Sequence, residues 1–324
     1  MRLHPLLAVA LLIPLSTSAD QLRAVLGSDA AMRTVRVALD SNHPERSRAG
    51  GLTYLGGVRL SSRDPAFGGF SAMQVEGEHF TLLSDGGNIV RFRMGADWQP
   101  RDVAFADLAQ GPALGAFKPN RDSESLAVDS AGGKAWVGFE QSNTIWRFDA
   151  GLRRAERWSH PRKMRDWPDN GGPEAMVRLR SGRFIVLGES ARAADGRGYR
   201  AVQFEGDPTE APDRSFEFAY LAPAGFKPVD ISELPDGRLL VLNRRFAVPE
   251  LFTAKLTLLD PSAIRPGALV AGREIAHLAA PLIHDNFEAI ATLREGGETV
   301  VWLASDDNRQ LWQRSLLLKF RLDL

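Results

Sequence analysis

Similar segments of the chain begin with Ser71, Glu124, Glu174, Asp230 and Glu288, and end at Asp85, Glu140, Glu189, Asn243-Arg244-Arg245 and Asp306-Asp307. Grouped carboxylates do two kinds of chemistry. They hold and transfer protons, because burial or a like-charged neighbour raises a carboxyl pKa towards neutrality. They also bind hard cations such as Ca²⁺ through oxygen alone. Glu124, Glu174, Asp230 and Glu288 are therefore the candidate catalytic acids and bases. Glu140, Glu189, Asp306 and Asp307 are the candidate calcium ligands, although no contiguous calcium loop is present. Arg244, Arg245 and Lys227 can offset the acids and meet an anionic substrate. Ser71, as a hydrogen-bonding hydroxyl, and Trp167, as a stacking surface within RDWPDNGG, complete the candidate substrate-binding set.

Composition removes several alternatives. The chain has no cysteine, which excludes thiol nucleophiles, thiolate metal sites and disulfides. Its six histidines include no pair at the helical zinc spacing. Lysine plus arginine and aspartate plus glutamate both number 40, so no positive excess exists to bind nucleic acid. The serine-hydrolase elbow is also missing, since Gly69-Phe70-Ser71-Ala72-Met73 lacks its second glycine. His79, the nearest candidate base for Ser71, is expected beyond the hairpin turn at the far end of the strand.

The elements that must position these residues form a repeat. SAMQVEGEHFTLLSD, ESLAVDSAGGKAWVGFE, EAMVRLRSGRFIVLGE, DISELPDGRLLVLNRR and EAIATLREGGETVVWLASDD begin at residues 71, 124, 174, 230 and 288. Each reads as two apolar strands around a glycine turn. Third strands follow from Asn88, Asn143, Tyr199, Lys255 and Ser315, and weaker fourth strands in DVAFADL, AERW, SFEFAYL and REIAHL. Four strands recurring about every fifty residues predict an all-β, single-domain β-propeller with five blades. The last unit lacks a fourth strand, and GLTYLGGVRLS from Gly51 is expected to supply it, closing the ring and removing a sheet edge. Arg33–Leu39 and the connection Gln99–Arg121 leave room for a sixth blade.

Innermost strands of a propeller run in one direction, so the repeated polar residues are expected on one rim of the central channel. A carboxylate there also has a structural use, as an acceptor that fastens one blade to the next. At the N-terminus, Arg2, the apolar run Leu6–Leu15 and Thr17-Ser18-Ala19 have the layout of a signal peptide over residues 1–19, followed by the propeller domain over 20–324. This predicts a periplasmic or secreted protein, monomeric and without a membrane span.

The segments GGFSAM, RDSESLAV, GPEAM and NFEAIA, with SDDNRQLWQRSLLLKFRL near the end, resemble the phytase-like family described as having esterase-like activity. The resemblance covers roughly Gly50 to Leu322 and implies an exported bacterial β-propeller with phosphoester or carboxylic ester hydrolase activity. The family's acidic positions match Glu124, Glu174, Glu288, Asp306 and Asp307, with Asp230 as the fourth-blade counterpart. Two functions follow: a calcium-assisted hydrolase of phosphate-bearing or other ester substrates, or a non-catalytic propeller whose rim binds a small molecule or partner.

Overall fold

Each of the five repeats folds into a twisted antiparallel sheet because its apolar residues alternate and its turns carry glycine. Gly77 and Gly237 in the first hairpins of blades one and four have φ of 59° and 92°, with open space where a Cβ would stand. Their glycines are needed for backbone conformation and not for room. The computed structural model describes residues 23–27, 30–112, 121–310 and 312–323. The expected signal peptide lies outside the described residues.

Blade one comprises Phe70–Glu76, His79–Ser84, Asn88–Met94 and Pro100–Asp107, and blade two Ser123–Asp129, Lys134–Phe139, Thr144–Asp149 and Ala155–Ser159. Blade three contains Pro173–Arg178, Phe184–Arg192, Tyr199–Phe204 and Ser215–Leu221, with Leu269–Ala271 added in parallel at its outer edge. Blade four contains Lys227–Glu233, Leu239–Ala247, Leu251–Leu259 and Arg273–Leu278. The innermost strands pack against one another in order, and that of blade five meets that of blade one, so the ring closes. The described residues include single-turn helices at Arg162–Met164 and Pro261–Ala263 and no helix long and apolar enough to cross a membrane.

Closure occurs as the repeat predicts. Blade five runs Phe287–Glu295, Glu298–Ser305 and Leu316–Leu322, and its fourth strand is Leu52–Ser62 from the N-terminal side. The room for a sixth blade is filled differently. Met32–Arg36 pairs with Leu52–Ser62 as an additional outer strand of blade five, so it covers an edge instead of starting a sheet.

Apolar layers between blades carry the stability. Phe70, Phe80, Phe92, Trp302 and Leu317 fill the seam between blades five and one, and Phe80 meets Phe92 and Trp302 at centroid distances of 5.0 and 4.8 Å. Phe320, in the last strand, is fully buried and packs 5.4 Å from Tyr54 of the closing strand. Tyr54 in turn donates to the Val37 carbonyl at 2.6 Å. The substitution Phe320→Ala is expected to cost roughly 3–5 kcal/mol by opening a cavity at the closure. A urea midpoint within error of the parent would show that this seam does not hold the ring.

Candidate active site at one mouth of the channel

All five innermost strands carry a β-bulge near their start. The register slips between Phe70 and Ala72, Ser123 and Ser125, Pro173 and Ala175, Pro228 and Asp230, and Phe287 and Ala289. A bulge leaves one residue outside the ladder and bends the strand, which re-aims side chains. The residues so released are Ser71, Glu124, Glu174, Val229 and Glu288. Two further rows share the same end of the ring. Asp85, Glu140, Glu189, Arg244 and Asp306 each follow the second-strand residue that pairs just before the bulge. Gly69, Asp122, Gly172, Lys227 and Asn286 stand two residues before the bulged ones. The rows are tied by backbone bonds, with the N–H of Asp85, Glu140, Glu189 and Asp306 donating to the carbonyls of Gly69, Asp122, Gly172 and Asn286 at 2.9, 2.8, 3.3 and 2.9 Å.

The carboxyl groups in this mouth are strongly coupled. Glu174 and Glu140 hydrogen-bond to each other through their side chains, so they share a proton. Removal from water, then Glu140, Glu189 and Glu288, hold the Glu174 carboxyl well above the usual range. Removal from water and the charge of Asp122 push Glu140 up to about 7, while its carboxylate accepts from the Gly171 N–H. Asp306 is raised by burial and by Asp85 and Glu288. Burial and like charge therefore favour the proton-bearing forms of Glu174 and Asp306.

Arg244 organises the opposite side. Its Nη2 donates to Glu189 Oε1 at 2.5 Å, and its Nη1 donates to Asn286 Oδ1 at 2.8 Å and to Glu288. Lys227 Nζ donates to the other Glu189 oxygen at 3.1 Å and to Ser190 Oγ at 2.9 Å. Burial alone would raise Glu189, but these two cations outweigh it and hold the carboxyl below its usual value. For Glu288, burial outweighs Arg244; Glu189 and Asp85 add to burial, a hydrogen bond with Asn286 opposes it, and the carboxyl is pushed up to about 7. The guanidinium lowers both glutamates, and Lys227, which bonds only to Glu189, makes that one a fixed anion while Glu288 stays poised to gain or lose a proton near neutrality.

Among the described residues, Asp122, Glu124 and Glu140 bring one carboxylate oxygen each within 4.8 Å of one another. Three oxygen donors and no soft ligand suit a hard divalent cation such as Ca²⁺. Of the four expected calcium ligands, only Glu140 belongs to this trio. Glu189 is engaged by Arg244 and Lys227. Asp306 accepts from the Asn308 N–H at 2.6 Å. Asp307 accepts from the Gly69 and Arg309 N–H groups at 3.1 and 3.0 Å and from Ser315 Oγ at 2.7 Å, which makes it a latch between blades five and one.

Other expectations change with the register. Asp230 is not the fourth-blade counterpart of the glutamates; Val229 is, and Asp230 occupies the position of Ala72, Ser125, Ala175 and Ala289. The Asp230 carboxylate accepts from the Ile231 N–H at 2.8 Å and from the Ile290 N–H of the next blade at 2.7 Å. It lines the channel below the mouth, a space of about 160 Å³, and fastens two blades. Ser71 is also a fastener, its hydroxyl donating to the Ser123 carbonyl at 2.6 Å. His79 pairs in register with Glu76 at the other end of the hairpin, as expected. Strand alternation turns Arg245 away from the acids, towards the Phe226 ring at 5.4 Å and Glu250 at 3.9 Å. Trp167 is only 3% exposed and packs in the core between blades two and three.

The sequence reading missed Asp122, Asn286 and Phe252, and among the tryptophans that could form a stacking platform it preferred Trp167 to Trp312. The first two were findable, because Asp122, Lys227 and Asn286 all stand two residues before a bulge. Phe252 and Trp312 carry no such signal. Trp312, 57% exposed, stacks 6.4 Å from Phe252 at an interplanar angle of 15°, and the Arg244 guanidinium lies 5.8 Å from the Phe252 ring.

The model of the phytase-like family, described as esterase-like activity of phytase, matches residues 65–309. No curated protein matches the sequence. Among solved structures the chain is similar to Kuenenia stuttgartiensis hydrazine synthase, at 12% identity and a TM-score of 0.37, covering 79% of this chain and 66% of that one, just under two thirds of its length. It is also similar to Myxococcus xanthus glutaminyl cyclase, at 14% identity and a TM-score of 0.45 over 79% of this chain and 91% of that chain. A third likeness, to the Cps50 (Swd1) β-propeller domain of Myceliophteria thermophila, has 11% identity and a TM-score of 0.38 over 83% and 74% of the two chains. These are distant backbone likenesses.

The raised carboxyls have a consequence for stability. Glu140 and Glu288 keep protons up to about pH 7 in the fold, against an ordinary value of 4.5. Between those limits the folded protein binds more protons than the unfolded chain, so raising the pH removes stability. In chelator, the urea midpoint is expected to fall from about pH 4.5 to 7, and the slope to flatten in Glu140→Gln with Glu288→Gln. A midpoint that stays level across this window would contradict the coupled mouth.

Proposed function

The chain belongs to the phytase-like family with esterase-like activity, whose model spans residues 65–309, and on that premise we propose that it is an exported, metal-assisted hydrolase of phosphate or carboxylic esters. The observation that carries the reading is the oxygen trio Asp122, Glu124 and Glu140 directly coupled to the proton-bearing Glu174. A ligand set and a proton donor are thereby adjacent in one shielded mouth.

The trio would hold the cation. When bound, a divalent ion supplies positive charge to a phosphoryl or acyl oxygen and lowers the pKa of a coordinated water. The protein's own groups do the rest. Glu174, whose carboxyl is held well above its usual range by burial and its acidic neighbours, gives its proton to the departing alkoxide as the ester bond breaks. The phosphate or carboxylate product keeps the hydroxyl of the attacking water, and the remaining proton passes to a carboxylate of the mouth. Glu288, with a pKa of about 7, is matched to that task. Arg244 is a positioning residue: its charge is committed to Glu189 and Glu288, which its hydrogen bonds hold side by side. Lys227, at the edge of the mouth with its side chain 45% exposed, is the cation able to meet an incoming anion. Export, suggested by the signal layout of residues 1–19, would bring the chain to compartments where weak calcium sites fill.

Purified protein incubated with phosphate monoesters and carboxylic esters is expected to turn over at least one of them with Ca²⁺ and to lose activity in chelator. Glu174→Gln with Glu288→Gln should lower kcat by about 10²–10⁴, the usual worth of general acid–base groups. Asp122→Asn with Glu140→Gln should instead abolish calcium-dependent thermal stabilisation. Stabilisation by Ca²⁺ without turnover of any ester would assign the mouth to binding, as in a non-catalytic propeller. Turnover indifferent to chelator and to all four substitutions would remove the mouth from the reaction.

A further inference from the structure

The second strand of blade three runs on to Arg192, and blade four likewise departs from blades one, two and five where it borders the mouth. Its second and third strands, Leu239–Ala247 and Leu251–Leu259, stay paired up to Ala247 and Leu251. Blades one, two and five end their second strands at Ser84, Phe139 and Ser305, the positions equivalent to Asn243. The hairpin therefore continues four residues beyond the rim. It carries Phe246, Val248 and Leu251 at 49%, 70% and 37% exposure. Phe246 packs 4.9 Å from Phe252, and Phe252 stacks on Trp312 of blade five.

Water-exposed aromatic rings clustered at one place mark a binding surface more often than a packing accident. The identity of the occupant follows from size and position. The wall presents two or three rings, far less than the ~800 Å² per partner of a standard protein interface. It also joins the polar mouth without a gap, because Arg244 contacts Glu189 and Glu288 by its nitrogens while its flat face lies 5.8 Å from the Phe252 ring. A ligand seated on the acids and cation would extend its remaining part over these rings. A hydrated polyol or polyphosphate gains little there, whereas an aromatic or bulky apolar group gains buried area and stacking.

We propose that Phe252 and Trp312, flanked by Phe246, form the subsite for the organic group of the substrate, and that the ester cleaved is one of an aromatic or bulky apolar alcohol. The proposal rests on the hydrolase reading for its chemistry, but the subsite itself is testable by binding alone. Phenylphosphonate and methylphosphonate, which cannot be hydrolysed, are compared with Ca²⁺ present. Phenylphosphonate should bind at least about tenfold more tightly, a difference one buried ring readily supplies. It should also change the tryptophan fluorescence of the protein, a change absent in Trp312→Phe even though that variant still binds. Phe252→Ala with Trp312→Ala should erase the preference and leave methylphosphonate and calcium binding unaltered. With turnover, phenyl phosphate should have a KM at least about tenfold below methyl phosphate, and the double variant should raise that KM with kcat little changed.

Preferential phenylphosphonate binding without hydrolysis would sustain the subsite and sink the hydrolase. Hydrolysis with equal affinity for the two phosphonates would do the reverse. A preference that survives the double variant with unchanged fluorescence would place the organic group elsewhere and overturn the assignment.

Discussion

Like charges forced together by symmetry are the constraint on which the mouth of this propeller depends. Five blades of one repeat bring equivalent residues to one ring, and here two of the three rows are rich in acids. Carboxylates shielded from water cannot all stay ionised side by side. The protein answers in three ways, each tied to a position. Glu174 and Asp306 are pushed towards their protonated forms by burial, Glu189 is held as an anion by Arg244 and Lys227, and Asp122, Glu124 and Glu140 form an oxygen cradle. None of these would be needed in a ring whose mouth served stability alone. The stabilising interactions lie elsewhere, in the apolar seams between blades and in the closing strand.

Departure from the repeat is what gives the mouth direction. Blade one contributes Gly69 and Ser71, which place no charge in the ring, and a single acid, Asp85. Blade four contributes Lys227, Val229 and Arg244 where its neighbours have acids or small residues, so it is the one wholly cationic sector. Blade two, with Asp122, Glu124 and Glu140, is wholly anionic. Blade three lies between them, and Glu174 feels both Glu140 on one side and Glu189 and Glu288 on the other. On the proposed reading, Glu174 as proton donor lies between an anionic cradle and a neutralised, aromatic-edged sector, and an ester would lie across the mouth with its acid part towards blade two and its alcohol towards blade four.

The fold was legible because a propeller writes itself as a period: hairpins, third strands and the closing strand could all be counted from Gly51 onwards. The rim was legible for the same reason, and Glu124, Glu174, Glu189, Glu140 and Glu288 do converge. The errors came from aligning polar residues to polar residues. Alignment on the apolar residue that follows, Met73, Leu126, Met176, Ile231 and Ile290, puts Val229 opposite the glutamates and moves Asp230 into the channel wall. Within blade four, strand alternation separates Arg244 from Arg245, which adjacency in sequence conceals.

What could not be read was exposure created by tertiary structure. Trp167 and Trp312 both sit in polar loop sequences, yet one is locked beneath Gly188 and Ala191 while the other lies in the open. The difference arises because the loop containing Trp167 folds back into the seam between blades two and three, where Asn143 Nδ2 ties the Trp167 carbonyl at 2.9 Å. Trp312 instead meets a hairpin that outgrows its blade, and that contact spans sixty residues of sequence with no periodic trace. Repeats thus encode the ring and its charges, while the feature that would discriminate among ligands is written in the irregular loops. Selectivity here is then separable from the fold: loops above the rim are able to change their apolar residues without disturbing the bulges that aim the acids.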